Sequence, residues 1–183
     1  MTTEKQIIKI KKNYAWHAIY TKSRSEKKLY DELCGKGIKA YLPMQKQLRV
    51  WSDRKKWVET PLFTSYVFAQ VSAKEYDEVL HSFYAVCYVR IAGKAVVIRD
   101  AQIDALRCFL ADKGREIEMR GADMAMGDRV KVIAGPLKGV FGEVIEVRGK
   151  HRLAIRFESL GACVLTEIKA EDVMGCPNKG GVN

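Results

Sequence analysis

Residues 127–147 read GDRVKVIAGPLKGVFGEVIEV, a valine-rich stretch that glycine interrupts at Gly127, Gly135, Gly139 and Gly142. Proline fixes its own φ, and glycine adopts backbone angles that side chains resist, so Gly135-Pro136 predicts a tight turn between two strands. Further short strands follow at regular spacing to about residue 174, and no helix pattern occurs after residue 123. Short, evenly spaced strands with glycine turns predict a small β-barrel.

A glycine-rich loop can also cradle a phosphate, and the residues after the glycines decide between the two interpretations. A nucleotide-binding P-loop needs G-x-x-x-x-G-K-[ST] between a strand and a helix. Here Val140 and Phe141 follow Gly139, and the next residues predict a strand. The dinucleotide pattern G-x-G-x-x-G is absent as well. The glycines are therefore interpreted as turn residues, and an enzyme with a phosphate-binding loop is a disfavoured hypothesis.

The positive charge of the chain is concentrated in its first third. The net charge of the 183 residues is +10, and residues 1–60 hold 15 Lys+Arg against 6 Asp+Glu. The remainder, residues 61–183, is nearly neutral, with 17 against 16. Such asymmetry favours a surface in the first third that faces a polyanion. A surface that is merely solubilising is the alternative.

Several classes of protein are disfavoured by what the sequence lacks. The five cysteines form no CxxC pair, and His17, His81 and His151 are scattered, so no disulfide framework, metal site, cofactor or catalytic group is predicted. No apolar run approaches the roughly 18 residues of a membrane span, and the N-terminus lacks the apolar core of a signal peptide. We expect a cytoplasmic protein that is not an enzyme.

Strand and helix patterns alternate in the first part of the chain. Residues 14–20 and 65–71 alternate as strands, and Ser23 with Glu26 has the spacing of a capping box for a helix at 24–34. Residues 38–60 predict a hairpin with its tip near 52–55. Ser72 and Glu75 form a second capping pair before another helix. Strands at 85–91 and 95–98 precede a helix that Asp100 caps, whose apolar stripe is Ile103, Leu106, Phe109 and Leu110.

The predicted fold class is α+β, with an N-terminal antiparallel sheet flanked by helices and a small C-terminal β-barrel. The polar residues 113–123, with two glycines and no clear period, predict a linker. The barrel strands are predicted at 129–134, 140–147, 152–157 and 162–168, with a last piece near 172–174. The predicted organisation is therefore a disordered tail at 1–13, a first domain at 14–112, the linker, a barrel at 124–175 and a tail at 176–183.

The stretch 127–147 resembles a KOW motif, the opening of the SH3-like barrel that ends NusG-type transcription factors; ribosomal proteins carry this motif too. The resemblance therefore implies that the predicted C-terminal barrel is SH3-like. The matching residues are Gly127, Asp128, Val130, Val132, Gly135, Pro136, Gly139, Gly142 and Val144. WHAIYTKSRSEKK and PLFTSYVFAQV also resemble parts of the NusG N-terminal domain, with Thr64-Ser65 where Pro-Gly is common. The long basic hairpin resembles specialised paralogues of the RfaH and UpxY type.

The resemblance implies a surface that binds the clamp helices of RNA polymerase. Tyr20, Tyr66 and Phe68 fall where RfaH-like proteins place aromatic residues of that pocket. Alternation places Trp16 with Tyr20 on one strand face and Tyr66 with Phe68 on another, so the four can form one patch if the strands are neighbours. Ordinary core packing is the alternative, and for Trp16 it is favoured.

A second surface is predicted to bind nucleic acid. In RfaH-like proteins the start of the first helix faces the non-template DNA strand, and Lys22 and Lys28 match basic residues there, with Arg24 a near neighbour. The hairpin adds Arg49, Arg54, Lys55 and Lys56, with Trp51 and Trp57 between them, and such residues neutralise phosphates and stack on bases. A solvated hairpin with stabilising cross-strand tryptophans is the alternative.

The favoured function is a transcription elongation and antitermination factor that binds RNA polymerase and suppresses pausing or termination. The resemblance implies non-template DNA or nascent RNA as a further partner, and a ribosomal protein or termination factor as the partner of the barrel. Specific operons, such as surface polysaccharide loci, are the expected targets. The alternative is a general RNA-binding protein that stacks bases on Tyr66 and Phe68, although SYVFAQV does not meet the RRM signature. We also expect the barrel not to refold into helices.

Overall fold

The computed structural model describes residues 14–50, 54–112 and 116–176. The predicted tail at 1–13 and residues 177–183 of the predicted tail at 176–183 lie outside these ranges. The chain divides into two compact units, Met1–Arg99 and Asp100–Asn183. This division falls before the helix that the sequence assigns to the end of the first domain, and the predicted boundary near residue 112 stays a prediction.

The first unit is built on an antiparallel sheet. Its strands pair in the order β2-β5-β1-β6, and a further strand, β9, pairs with β1. Strand β1 thus lies at the centre, in register with β5 from Ala15↔Val71 to Tyr20↔Tyr66. The strands of the unit are β1 Ala15–Thr21, β2 Lys39–Tyr41, β3 Met44–Val50, β4 Lys55–Pro61, β5 Tyr66–Val71, β6 Ala85–Tyr88, β7 Arg90–Ile91, β8 Lys94–Ala95 and β9 Val97–Ile98.

Two helices, α1 (Glu26–Gly35) and α2 (Tyr76–Leu80), contribute to the core of this unit. Ile19 and Val67 point to the same side of the sheet, where they form one buried cluster with Leu29 and Leu33 of α1. Leu29 and Leu33 are four residues apart on the helix, so they lie on the same face of α1 and make that face apolar. The even-numbered residues of β1 and β5 therefore occupy the other face of the sheet.

The start of α1 differs from the predicted capping box. The helix begins at Glu26 after the N-cap residue Ser25, which makes no side-chain capping bond. The Glu26 carboxylate instead accepts the backbone N–H of Ser65 at 2.7 Å. The Glu26 carboxylate, which the predicted capping box required, is therefore engaged in a tertiary hydrogen bond instead. The second predicted pair forms only in part: Glu75 accepts both the N–H and the hydroxyl of Ser72, at 2.9 and 2.7 Å. Glu75 itself is the N-cap residue of α2, and no side-chain capping bond forms there.

The predicted hairpin is confirmed in strands β3 and β4. They form a separate two-stranded sheet in register from Met44↔Pro61 to Val50↔Lys55. The predicted tip falls largely on residues 51–53, which lie outside the described residues. Trp51 is one of these residues. The register places the basic residues 54–56 at the end of the hairpin away from the main sheet.

The second unit contains helix α3 (Asp100–Ala111) and a six-stranded antiparallel sheet in the order β10-β14-β13-β12-β11-β15. Its strands are β10 Ile117–Gly121, β11 Asp128–Val132, β12 Phe141–Val147, β13 Lys150–Phe157, β14 Ala162–Glu167 and β15 Val173–Gly175. Strands β11 to β15 lie within two residues of the predicted barrel strands, so this part of the prediction is confirmed. Buried Val132, Leu153, Phe157 and Leu165 belong to the apolar interior.

Within the predicted linker, residues 117–121 form β10, a strand that the sequence patterns did not predict. This strand pairs with β14 from Ile117↔Thr166 to Gly121↔Ala162. The Thr166 hydroxyl also donates to the Glu116 carbonyl at 3.0 Å. Pairing satisfies backbone groups that the edge of β14 would otherwise present unpaired. The charged residues of β10 lower its apolar content, and this masked the strand in the sequence.

The glycines of the KOW-like stretch are structural, as predicted. Gly139 has φ +92°, and its N–H donates to the Val132 carbonyl at 2.8 Å to close the loop between β11 and β12. A Cβ on Gly127 would collide with the carbonyl oxygen of Val144. Strand β12 follows this loop, so the chain lacks the loop-to-helix geometry of a P-loop here.

Candidate functional site

Tyr66, Tyr20 and Cys87 form a row across three neighbouring strands, β5, β1 and β6. Tyr20 is in register with Tyr66 on one side and with Cys87 on the other. The two tyrosine rings meet edge to face, with centroids 5.5 Å apart. Tyr20 is 42% exposed and Cys87 is also exposed, whereas Tyr66 is half-buried. We call these three residues the tyrosine row.

The environment of Tyr66 favours the neutral form of its phenol. Burial is the main cause that raises the pKa of Tyr66, and the neighbouring Tyr20 and Cys87 raise it further. A neutral phenol presents an apolar ring together with one polar hydroxyl. Such residues are enriched at protein interfaces, where they contribute large contact area. The tyrosine row is therefore suited to a protein partner.

The buried position of Phe68 removes this residue from the exposed aromatic patch that the sequence predicted. Phe68 is fully buried, and its ring meets Phe63 edge to face at 5.4 Å. Trp16 is buried too, as favoured from the sequence, with the Lys39 ammonium 5.5 Å from its ring. Phe68 faces the same side of the sheet as Tyr66, but the core covers it. The exposed part of the predicted patch is thus reduced to Tyr20 and Tyr66, and base stacking on Tyr66 and Phe68 together is excluded.

The structure adds two aromatic residues to the predicted basic surface at α1. The Lys22 ammonium lies 3.2 Å from the centroid of the Phe83 ring, and Lys28 lies 5.6 Å from that of Tyr84. The Lys22 N–H donates to the Tyr84 carbonyl at 3.0 Å, which fixes the two loops together. We call Lys22, Lys28, Phe83 and Tyr84 the aromatic–basic loop. Arg24 is exposed nearby, with φ +56°.

Phe83 is the functional candidate that the sequence interpretation missed. Its side chain is 74% exposed, which is unusual for phenylalanine. An exposed ring under an ammonium group is a platform on which a nucleic acid base can stack while the cation meets a phosphate. The signal in the sequence was the pair Phe83-Tyr84 between a helix and a strand, where two adjacent aromatics cannot share one apolar face.

The hairpin combines exposed cations with exposed apolar side chains. Lys55 and Lys56 are exposed at the start of β4, and Arg54 is exposed just before it. Leu48 and Trp57 are cross-strand partners, and Trp57 is 65% exposed. Arg49 is in register with Lys56. The hairpin therefore agrees with both alternatives left open by the sequence, a nucleic acid surface and a cross-strand pair that stabilises the hairpin.

Two other classes of site are missing from the described ranges. Residues 14–50, 54–112 and 116–176 hold no group of three or more His, Cys, Asp or Glu side chains arranged to bind a metal ion. Within the same ranges, no helix is long and apolar enough to cross a membrane.

The chain thus combines an antiparallel α+β unit that carries surface aromatics with a second, β-rich unit later in the sequence. The family model described as "NusG: Transcription termination factor nusG" matches residues 14–107. The chain therefore belongs to the NusG family, whose members are transcription elongation and termination factors with RNA polymerase as their general partner. They are not enzymes.

One solved structure and the curated proteins complete the comparison. The chain resembles the structure titled "Domain interaction in Thermotoga maritima NusG", with 21% identity and a TM-score of 0.47. The match covers 87% of this chain and 96% of that one. No curated protein matches the chain.

Proposed function

We propose that this chain is a specialised NusG-family antitermination factor of the RfaH or UpxY type. Its first unit binds the clamp helices of RNA polymerase through the tyrosine row. The observation that carries this proposal is the exposed Tyr20 ring against Tyr66, within the part of the chain that matches the family model. Phe68 now has a supporting role, because it packs beneath this face rather than on it.

The aromatic–basic loop and the hairpin bind nucleic acid beside the polymerase. Tyr20 and Lys22 are two residues apart, so the tyrosine row and the aromatic–basic loop begin within about 7 Å along the same segment. Lys22, Arg24 and Lys28 contact the non-template DNA or nascent RNA, and Arg49, Arg54, Lys55 and Lys56 extend the contact along the hairpin. A protein that holds polymerase and nucleic acid at once stabilises the elongating state by differential binding.

The proposal extends to specific operons, such as surface polysaccharide loci, and to a ribosomal protein or termination factor as the partner of the barrel. The basic hairpin supports specialisation, because added cations lengthen the contact with nucleic acid. Mapping of chain occupancy across the genome tests this point. Peaks restricted to a few operons support it, whereas occupancy on most transcribed genes shows a general factor.

Capture of purified core RNA polymerase tests the central contact. We expect Tyr20→Ala/Tyr66→Ala to weaken binding at least tenfold, since aromatic residues at an interface contribute much of its affinity. Tyr14→Ala is the matched control, because Tyr14 is an exposed tyrosine of the same unit that is bonded to Glu75 at 3.3 Å. If wild type does not capture polymerase but binds free RNA tightly, the general RNA-binding alternative is correct.

A further inference from the structure

Arg152 is a buried cation whose hydrogen-bonding capacity the chain leaves largely unused. It lies on β13, between Ile145 of β12 and Glu167 of β14 in register, and its side chain is 10% exposed. Within the described ranges no acceptor pairs with its buried Nε or Nη1 atoms. Arginine presents five N–H donors, and a buried donor without an acceptor destabilises a fold.

The carboxylates near Arg152 compensate its charge only in part. Its Nη2 atom lies 3.6 Å from Glu167 Oε1 and 3.9 Å from Glu116 Oε2. These distances exceed the length of a hydrogen bond. The same Glu167 oxygen already accepts the Lys150 ammonium at 2.7 Å. Glu116 is largely exposed, so water screens its charge.

A cavity of about 400 Å³ has Arg152 among its lining residues. The β12–β13 hairpin contributes Arg148, Lys150 and Arg152 to its wall, and the segment at β10 contributes Glu116 and Glu118, with Ile117 and Val147 as the apolar part. Arg120 holds the Glu118 carboxylate at 2.6 Å, which neutralises it. Positive charge therefore prevails in the wall, and the volume exceeds that of several waters at about 30 Å³ each.

We propose that this cavity binds a phosphate group, with the buried Arg152 at its base and the exposed Arg148 and Lys150 at its mouth. A phosphate oxygen pair matches the fork of the guanidinium and takes up donors that Arg152 leaves unpaired. Nε and Nη1 are closed to solvent, so the proposed binding requires the guanidinium to turn toward the cavity. Inorganic phosphate and the 5′-phosphate of a nucleotide carry the same chemistry. None of the residues of this site belongs to the residues proposed to bind polymerase or nucleic acid.

Titration of the ¹⁵N-labelled full chain with inorganic phosphate and with adenosine 5′-monophosphate, at constant ionic strength, tests the site. We expect NMR shifts confined to residues 116–118 and 147–152, including the Arg152 Nε–Hε signal, and a rise in the unfolding midpoint with ligand. Binding of the monophosphate at least tenfold tighter than phosphate identifies a nucleotide as the ligand. Equal or weaker binding identifies free phosphate.

Two variants decide whether the cavity is responsible. Arg152→Met is expected to abolish the shifts and the ligand-dependent rise, and to unfold at a higher temperature than wild type without ligand, since an apolar side chain replaces an incompletely paired buried charge. Arg148→Gly/Lys150→Gln changes only exposed residues, and we expect it to weaken binding at least tenfold even if Arg152→Met does not fold. Lys138→Gln, outside the cavity, is the control. Shifts that are absent in wild type, or unchanged in the double variant, overturn the proposal.

Discussion

Ser65 adopts a left-handed conformation, with φ +63°, and neighbouring groups hold it there. Its N–H donates to Glu26 at 2.7 Å, and its carbonyl accepts the N–H of Thr21 at 2.8 Å. Both backbone groups of the residue before Tyr66 are therefore fixed. The geometry of the tyrosine row depends on this turn, because Tyr66 follows it directly in the chain.

Replacement of Ser65 tests how much strain the turn contains. We expect Ser65→Gly to raise the free energy of unfolding by about 0.5–1 kcal/mol, because glycine adopts positive φ without the steric cost of a Cβ. Ser65→Val should lower it, since β-branched residues tolerate this region poorly. Urea denaturation measures both. Equal destabilisation by the two variants would show that the serine side chain, rather than the backbone conformation, decides the effect.

His17 is a buried ring that meets Tyr76 and Tyr88 edge to face, with centroids 6.0 and 5.6 Å away. Its Nδ1 atom lies 2.8 Å from the Val96 carbonyl oxygen. Burial lowers the pKa of His17, and the hydrogen bond to Val96 opposes part of that effect. The folded chain therefore favours the neutral ring more strongly than the unfolded chain does.

This pKa predicts a loss of stability on acidification. Below the unfolded pKa of about 6.5, the unfolded chain binds a proton that the folded chain resists, so the free energy of unfolding falls as the pH falls from about 7.5 to 5.5. His17→Gln should show a smaller decrease over that range. His151→Gln, which changes an exposed ring, is the control. Denaturant unfolding at several pH values measures the slopes, and equal slopes for wild type and His17→Gln would contradict the assignment.

At the scale of elements, the packing of β11 against β12 depends on the glycine before β11. We expect Gly127→Ala to lower the free energy of unfolding by about 1–3 kcal/mol, because a Cβ there meets the backbone of Val144, which has little room to move. Gly175→Ala is the matched control, since its Cβ meets nothing within 4 Å. Thermal or urea unfolding gives the comparison. Similar losses at both positions would indicate a general cost of removing glycine.

The pairing of β10 with β14 has its own test in hydrogen exchange. We expect the backbone amides of residues 117–121 that donate to β14 to exchange far more slowly than amides of an unpaired linker, because exchange requires local opening. Glu118→Pro/Arg120→Pro should break the pairing and remove the protection. The protection of β12 in the same sample serves as the internal reference. Rapid exchange across 117–121 in wild type would restore the linker interpretation.

Elements were predictable from the sequence where a local pattern decided them. Alternation gave β1, β5 and the barrel strands, and i, i+4 spacing gave α1. The absence of the predicted Ser23–Glu26 cap could not be read from the sequence, because the hydrogen-bond partner of Glu26 is Ser65, 39 residues away. Strand β10 was missed for a similar reason, since its partner strand lies more than 40 residues further along the chain. Phe68 was misplaced because alternation shows which residues share a face, and it does not show where the core covers that face.

At the scale of the whole molecule, the charge asymmetry favours the first unit as the site of the electrostatic part of the proposed nucleic acid binding. We expect Lys55→Gln/Lys56→Gln to reduce the slope of log affinity against log salt by roughly 1.4, because single-stranded contacts contribute about 0.7 per phosphate. Lys74→Gln/Lys94→Gln removes two exposed charges from the same unit as the control. Binding of assembled elongation complexes at several salt concentrations gives the slopes. An unchanged slope for the hairpin variant would remove the hairpin from the interface.

The pairing of β10 with a strand so far along the chain has a consequence during translation. Ile117 pairs with Thr166 and Gly121 with Ala162, so β10 leaves the ribosome 41–49 residues before its partner. Ribosomes add roughly 5–20 residues per second, so β10 remains without its partner for about 2–10 seconds. The Glu118–Arg120 pair on this strand keeps charge along an edge that is open during that interval. Its ionic side chains thus protect the nascent chain against wrong strand pairing before the barrel is complete.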